Sequence, residues 1–199
     1  MPCKRRTWII GIGMIVLLAA CDRGQIFHKL RPDSVILAFG DGLTFGTDVE
    51  RESSYPAQLE ALIRRKVVNA GVAGEDSAAG VRRLPRVLAE QEPDLVILGQ
   101  GLEPDRQRQQ GNLRRMFEAV NQLGIPVVMI AVLPPGGAAS DVDPYTALAK
   151  ELKIPLVHAA VEGLPTERQT EGEQVRWTAS GCRKLAEAVA DKLDELSAI

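Results

Sequence analysis

The residues best placed for chemistry lie in the stretch VILAFGDGLTFG, at positions 35–46. Its apolar first half predicts a buried parallel strand that ends in the tight turn Gly40-Asp41-Gly42. In α/β enzymes, ligands and catalytic groups collect at the carboxyl end of such a strand. Asp41 can accept hydrogen bonds from backbone N–H groups of the turn, whereas Gly42 has no side chain that could attack a carbonyl carbon. The stretch therefore predicts where a site lies without supplying its nucleophile.

Alternating apolar and amphipathic segments predict the framework that would position this turn. Strands are predicted at 35–39, 67–69, 95–98, 127–132 and 156–157, and helices at 55–65, 80–91, 109–123, 144–152 and about 180–196. Strands alternating with helices, joined by right-handed crossovers, predict a three-layer α/β/α sandwich with a five-stranded parallel sheet. The Pro- and Gly-rich stretch 133–144 is typical of a loop over the strand ends.

The composition excludes several classes of function. With 199 residues, of which 45% are hydrophobic and 25% charged, the chain suits one globular domain with a substantial core. A net charge of −2 and an aromatic content of 4% argue against nucleic-acid binding. The two histidines, His28 and His158, and three dispersed cysteines form no metal-ligating pattern, so we predict neither a metal nor a cofactor.

The first twenty residues have the pattern of a secretory signal. Lys4, Arg5 and Arg6 precede the apolar run WIIGIGMIVLLAA at positions 8–20. As a helix this run would span about 20 Å, which is too short for the ~30 Å hydrocarbon core of a bilayer. The segment therefore predicts a signal peptide and not a permanent membrane span.

The end of this run, Leu18-Ala19-Ala20-Cys21, resembles the bacterial lipobox. The resemblance implies cleavage that leaves Cys21 as the lipid-bearing N-terminus; the alternative is an ordinary signal peptide with a chance cysteine. We therefore divide the chain into a lipoprotein signal peptide (1–20), a lipidated cysteine with its linker (21–32) and one domain (33–199). His28 would be a solvated linker residue. The lipid would hold the protein to a membrane of the cell envelope, facing the periplasm, and Asp22 resembles an inner-membrane retention signal.

Several stretches resemble, in order, the periplasmic thioesterase/lysophospholipase and arylesterase branch of the SGNH (GDSL) hydrolases. They are ILAFGDGLTFG, SYPAQLEALI, VVNAGVAGEDSAAGVRRLP, PDLVIL and NLRRM, and the resemblance covers about residue 35 to the C-terminus. It implies the flavodoxin-like form of the sandwich predicted above. It also implies serine-based ester hydrolysis, for which the family's catalytic positions must be inspected one by one.

Two of the first three positions are changed. Gly42 stands where the family has its nucleophilic serine, so an acyl-enzyme cannot form at this residue. Gly74, whose backbone N–H would help to bind the oxyanion, is retained. The segment with Gly101 and Glu103 replaces the family's Gly-x-Asn-Asp, so the asparagine amide is absent and a carboxylate would repel the oxyanion. Loss of one such donor typically costs about 10²–10³ in turnover.

The last block is changed as well. Alignment on the final helix puts Glu173 at the family's aspartate and Arg176 at its histidine. Arginine stays protonated and cannot take a proton from a hydroxyl. With serine, asparagine and histidine all replaced, we predict a hydrolase-like protein that is catalytically inactive.

Other side chains could supply a new nucleophile or base, although each has a structural interpretation. Thr44 occupies a position at which the family often has a non-catalytic threonine. Ser77 is expected to cap the following helix, Ser180 to cap or start the last helix, and Cys182 to be buried. His158 is expected to be half-buried at a strand end. A Ser77–His158 pair is the alternative that would restore nucleophilic chemistry.

Three functions follow from these observations. The first is a membrane-anchored protein with a binding or scaffolding role, in which Asp41, Gly74 and Arg176 could bind an anionic small molecule. Arg176 could instead pair with Glu173, or both could face solvent. The second is an active ester hydrolase (arylesterase, acyl thioesterase or lysophospholipase) with a non-standard nucleophile. The third is a structural partner of another envelope protein, which an exposed apolar patch would favour.

Overall fold

Short β-branched and aliphatic runs form the strands of this protein. The computed structural model describes residues 25–101, 103–132, 144–159 and 177–199. It contains the strands β1 (Val35–Gly40), β2 (Lys66–Gly71), β3 (Leu95–Gly99), β4 (Val127–Val132) and β5 (Leu156–Ala159). All pairings are parallel, and the order in the sheet is β2-β1-β3-β4-β5. The predicted five-stranded parallel sheet is thus confirmed, and each strand starts within one residue of its predicted position.

Six helices connect or cover these strands within the described residues. They are α1 (Gly42–Phe45), α2 (Tyr55–Ile63), α3 (Ser77–Gln91), α4 (Arg106–Asn121), α5 (Pro144–Leu152) and α6 (Ala179–Glu195), and a 3₁₀ turn covers Arg51–Ser53. The short α1 and the 3₁₀ turn were not predicted, because neither is long enough to show a helical period. Helices α3 and α4 begin three residues before their predicted starts.

Aspartate caps explain the early starts of α3 and α4. The Asp76 side chain accepts a hydrogen bond from the N–H of Ala79, and Asp105 does the same for Arg108. The expectation that Ser77 caps α3 is therefore wrong, since Ser77 is the first residue inside the helix. At α6 the cap is Thr178, whose hydroxyl accepts from the N–H of Gly181, and not Ser180.

Strand residues alternate between the two faces of the sheet, and each face has its own core. One core packs Ile36, Ala38, Ile97 and Ile130 against α2 and α6. The other packs strand residues such as Phe39 against α3, α4 and α5. Helices on both faces of a parallel sheet confirm the predicted three-layer sandwich.

The described part of the predicted linker lies against the domain. The Gln25 side chain accepts a 2.5 Å hydrogen bond from the Val127 N–H and donates to its carbonyl at 3.1 Å. Leu30 is buried and its N–H donates to the Ala198 carbonyl at 2.7 Å. His28 is exposed, as predicted. Among the described residues, no helix has the length and apolar character that a membrane crossing requires.

Candidate functional site

The Gly40-Asp41-Gly42 turn joins β1 to α1 at the carboxyl edge of the sheet. Asp41 caps α1, and its carboxylate accepts hydrogen bonds from the N–H groups of Leu43 at 3.2 Å and Gly101 at 2.7 Å. The expected bonding of Asp41 to backbone N–H groups is confirmed, and it also ties the end of β1 to the loop after β3. Burial raises the pKa of Asp41, the two N–H donors oppose the shift, and the charge of Glu103 adds to it.

The glycines of this region differ in how much space surrounds them. A Cβ on Gly40 would lie 1.7 Å from the Gly99 carbonyl oxygen, and a Cβ on Gly71 would lie 2.1 Å from the Phe45 nitrogen. Both positions therefore require glycine for packing. A Cβ on Gly42 would meet only the Thr47 hydroxyl at 2.9 Å, which is the end of a side chain that can rotate. Packing therefore does not require a glycine at position 42.

The buried Thr44 side chain connects the turn to the end of β3. It is fully buried, and its hydroxyl donates to the Gly99 carbonyl at 3.2 Å. This places the hydroxyl inside the sheet edge and away from solvent. Thr44 acts as a packing residue here, in keeping with its expected non-catalytic place.

Beyond β2, Gly74 is exposed and has a φ of +72°, a backbone conformation that favours glycine. The next residue, Glu75, forms a bidentate ion pair with Arg83 at 2.7 and 2.6 Å. The Arg83 guanidinium also donates to the Gly40 carbonyl at 3.3 Å and lies 4.1 Å from the centre of the Phe39 ring. Sequence reasoning missed this pair, because Glu75 lies in the loop before α3, where helical spacing does not apply.

Glu103 does not point into open space at the site. Its carboxylate accepts a 2.5 Å hydrogen bond from the Ser77 N–H at the start of α3, and it lies 3.4 Å from the Arg108 guanidinium. A carboxylate at this helix end is favoured by the orientation of the first N–H groups. Ser77 itself is fully buried, and its hydroxyl accepts from the Asn112 amide at 2.8 Å.

The structure does not bring Ser77 and His158 together. His158 is exposed on β5, at the opposite edge of the sheet, with β3 and β4 between β5 and β1. The expectation of a half-buried histidine is wrong, because β5 is an edge strand that turns this residue toward solvent. The alternative of a new Ser77–His158 pair is overturned by this separation and by the bond between Ser77 and Asn112.

Two glutamines and a tyrosine close the loop after β3. Gln109 accepts from the Glu103 N–H at 3.1 Å, and its amide donates to the Gly101 carbonyl and, at 3.0 Å, to the Tyr145 hydroxyl. Tyr145 donates to the Gln100 carbonyl. Gln100 is buried, and its amide donates to the Glu75 carbonyl at 2.9 Å. This arrangement could not be predicted from the sequence, because it depends on side chains from three separate elements.

We call this polar network the β3 corner. Its members are Asp41, Glu75, Ser77, Arg83, Gln100, Gly101, Glu103, Gln109, Asn112 and Tyr145. The backbone N–H groups of Ser77, Gly101 and Glu103 all donate to side chains of the chain itself. These three donors are therefore used within the protein.

The other side of the Gly42 turn is an open cavity of about 570 Å³, which we call the α6 groove. Its lining residues are Thr47, Asp48, Val49, Glu50, Ser53, Trp177, Thr178 and Ala179. The Trp177 N–H donates to the Asp48 carboxylate at 3.1 Å and so joins the two walls. The described lining includes two carboxylates, Asp48 and Glu50. Glu173 and Arg176 lie outside the described residues, and Arg176 directly precedes Trp177 in the chain.

The first turn of α6 offers little chemistry to the groove. Cys182 is fully buried, as expected, and burial raises the pKa of its thiol. A thiol held protonated is a poor nucleophile. In the part of the chain that the structure describes, no group of His, Cys, Asp and Glu side chains is arranged to hold a metal ion.

The chain matches the family model of the GDSL-like lipase/acylhydrolase family over residues 38–189. It is 26% identical to esterase TesA of Pseudomonas aeruginosa over 166 residues, which cover 75% of this chain and 82% of the relative. It is 29% identical to an arylesterase of Vibrio mimicus, over 66% of this chain and 74% of that protein. A crystal structure of TesA superposes with a TM-score of 0.68 at 25% identity, covering 82% of this chain and 99% of the other.

Proposed function

The chain belongs to the GDSL-like lipase/acylhydrolase family, and we propose that it is a membrane-anchored member without the family's serine chemistry. Its role is binding or scaffolding at the outer side of a membrane in the bacterial envelope. Gly42 is the observation that carries this proposal, because it leaves the turn without a nucleophile. Packing does not explain the glycine, since Thr47 is the only side chain that a Cβ at this position would meet within 4 Å.

The two buried hydroxyl groups near the turn offer no substitute, and the exposed Thr47 hydroxyl donates to the Gly42 carbonyl at 3.3 Å. Thr44 and Ser77 are fully buried, and each forms a hydrogen bond within the protein. The N–H groups of the β3 corner are likewise used by side chains of the chain. With Arg176 at the position of the family's histidine, the α6 groove lacks the general base that the family's mechanism uses.

The anchor rests on the Leu18-Ala19-Ala20-Cys21 pattern that follows the apolar run. Acyl chains on both the sulfur and the amine of Cys21 would exceed the single chain that holds a protein only marginally. The lipid would keep the domain on the periplasmic face, at the inner membrane if Asp22 acts as a retention signal.

The α6 groove is the place for a ligand in this proposal. Its described lining carries the acidic side chains Asp48 and Glu50. An anionic small molecule such as a carboxylate or phosphate would therefore need the Arg176 guanidinium to offset that charge. Asp41 and Gly74, which were predicted to take part in ligand binding, are not among the described lining residues of the groove, and Asp41 belongs to the β3 corner.

The catalytic part of the proposal is tested with the purified mature protein in detergent. It is incubated with a fluorophosphonate probe and assayed on aryl esters, acyl-CoA and lysophospholipid, with esterase TesA of Pseudomonas aeruginosa as positive control. We expect no adduct in the mass spectrum and no turnover above buffer. A stoichiometric adduct, with turnover lost when that one residue is changed to alanine, would identify an active ester hydrolase instead.

The ligand part is tested through Trp177, which lines the groove and is the only tryptophan outside residues 1–20. Inorganic phosphate should change the Trp177 emission of the native protein but not that of an Arg176→Gln variant. Lys29→Gln serves as the matched control for loss of one positive charge. Unchanged emission in the native protein would refute the anionic ligand and favour scaffolding of an envelope protein.

A further inference from the structure

We propose that the edge of the sheet at which the strands begin lies against the bilayer that holds the lipid anchor. The α6 groove then opens away from that bilayer and takes a water-soluble ligand, not a lipid of the same membrane. The inference rests on the lipid anchor of the proposed function, and it adds the orientation of the domain and the class of ligand.

The attachment of the N-terminal segment fixes the end of the chain to this edge. Gln25 bonds both backbone groups of Val127, the first residue of β4. Leu30 is bonded to the Ala198 carbonyl, and the Arg65 guanidinium donates to the Leu30 carbonyl at 3.2 and 3.3 Å. Four residue steps separate Gln25 from Cys21, so the lipid attachment lies within about 14 Å of this edge.

Helix α6 runs from the groove to this edge, so its length gives the distance between them. Its first residue, Ala179, lines the α6 groove. Its last turn is followed by Ala198, which bonds Leu30 of the N-terminal segment. A helix of 17 residues is about 25 Å long. The groove and the anchored segment are therefore at opposite ends of the molecule.

Side chains at the anchored edge suit a bilayer surface. Ile26 and Leu123 are 63% and 62% exposed, the most exposed large apolar residues of the described chain. Ile26 lines a cavity of about 670 Å³ between the N-terminal segment and the loop before β4. Lys29 and Arg31 are exposed on the same segment. Arg31 already pairs with Asp33 at 3.3 Å and lies 4.0 Å from Asp94, so Lys29 is the cation that can meet anionic headgroups. Apolar insertion with basic side chains beside it is the usual mode of interfacial binding.

The opposite edge offers the competing orientation. Phe45 and Val72 are 50% and 40% exposed beside the Gly42 turn. If this edge met the bilayer, the groove would take lipid directly. The short span from Cys21 to Gln25 excludes this, because ~14 Å of chain cannot reach around a domain whose sixth helix alone is about 25 Å long.

The test uses the acylated mature protein in vesicles of phosphatidylethanolamine and phosphatidylglycerol, with brominated or unbrominated acyl chains. Trp177 is the only tryptophan outside residues 1–20, so the native protein reports on the groove. Ile26→Trp and Leu123→Trp, each combined with Trp177→Phe, report on the anchored edge. Phe45→Trp combined with Trp177→Phe is the matched control at the opposite edge. Circular dichroism checks the fold of each variant.

We expect bromine to lower the emission of the position 26 and 123 variants about two-fold, because their side chains enter the acyl boundary. Emission from Trp177 and from the position 45 variant should not change. Quenching at Trp177 or at position 45 would overturn the orientation. Absence of quenching at all four positions in vesicle-bound, acylated protein would overturn contact with the bilayer.

The anchor itself is read separately from the orientation. Mass spectrometry of the N-terminal peptide shows whether Cys21 carries acyl chains, and vesicle flotation shows whether the protein stays bound. A protein without acyl chains that does not float would refute the anchor, and with it the orientation. An acylated, floating protein with a quenched Trp177 would refute the orientation alone.

Discussion

The β3 corner and the α6 groove lie on the two sides of the same turn, yet they differ in what their polar groups bond to. In the β3 corner, carboxylates and amides bond to the protein's own backbone donors. In the α6 groove, side chains from two segments line an open cavity, and a hydrogen bond from the Trp177 N–H to the Asp48 carboxylate joins its walls. A hydrolase needs open donors in the first region, whereas a binding protein needs only the second.

This difference suggests how a hydrolase fold can be retained without its chemistry. Glu75, Arg83 and Glu103 now hold the strand ends and the start of α3 in place. Buried charges of this kind cost stability when one partner is lost, so they fix the geometry around Gly42. The groove keeps an open cavity of about 570 Å³ between its described walls.

The largest effect should come from breaking the Glu75–Arg83 pair. Its side chains are only 6% and 17% exposed. Arg83→Met leaves the Glu75 carboxylate buried without its partner, which typically costs about 3–5 kcal/mol. The free energy of unfolding from urea titration measures the loss. A similar pair on the surface, Arg86–Glu90, is 68% and 49% exposed, so Arg86→Met should cost less than about 0.5 kcal/mol. Equal losses would show that the β3 corner is not a closed network.

A smaller loss of stability is expected when a methyl group is added at Gly40. In Gly40→Ala the new Cβ would overlap the Gly99 carbonyl oxygen, so β1 and β3 must separate. Overpacking of this kind costs typically 1–3 kcal/mol, roughly the range we expect in urea unfolding. Gly111→Ala is the control, because it lies inside α4 with no atom within 4 Å and should stabilise the helix by about 0.5–1 kcal/mol. An unchanged Gly40→Ala protein would mean that the strands can part freely at this edge.

The fold was largely predictable from the sequence, because each strand is a short apolar run and each long helix has one apolar face. The helix starts were less predictable, since the caps Asp76 and Asp105 let α3 and α4 begin three residues before the predicted starts. The place of the site could also be predicted, as Gly40-Asp41-Gly42 follows the first strand. The β3 corner could not, because Gln100, Gln109 and their partners are far apart in the chain and follow no period.

The ionisation of Asp41 gives a pH-dependent test of the corner. Because burial raises the pKa of Asp41 above 3.8, the folded protein takes up this proton before the unfolded chain does. The contribution of Asp41 to stability therefore increases as the pH falls toward 3.8 and is lost as the pH rises through the folded-state pKa. Urea unfolding of the native protein and Asp41→Asn should show the native protein gaining relative to the variant on acidification. If the native protein instead lost stability relative to the variant on acidification, the N–H donors of Leu43 and Gly101 would lower the pKa of Asp41 by more than burial raises it.

The smallest change in stability is expected for Gly42→Ser, which also tests directly whether a serine at this position restores the family's chemistry. The added side chain meets only the rotatable Thr47 hydroxyl, so the cost should stay below about 1 kcal/mol. The variant should still lack esterase turnover and a fluorophosphonate adduct, because Arg176 stands where the family has its histidine and cannot take the proton from the new hydroxyl. Gly42→Ala is the control that adds the Cβ without the hydroxyl. If Gly42→Ser alone formed a stoichiometric adduct, a general base would still be present beside the turn. The loss of chemistry would then lie in one residue, and the closed β3 corner would not be its cause.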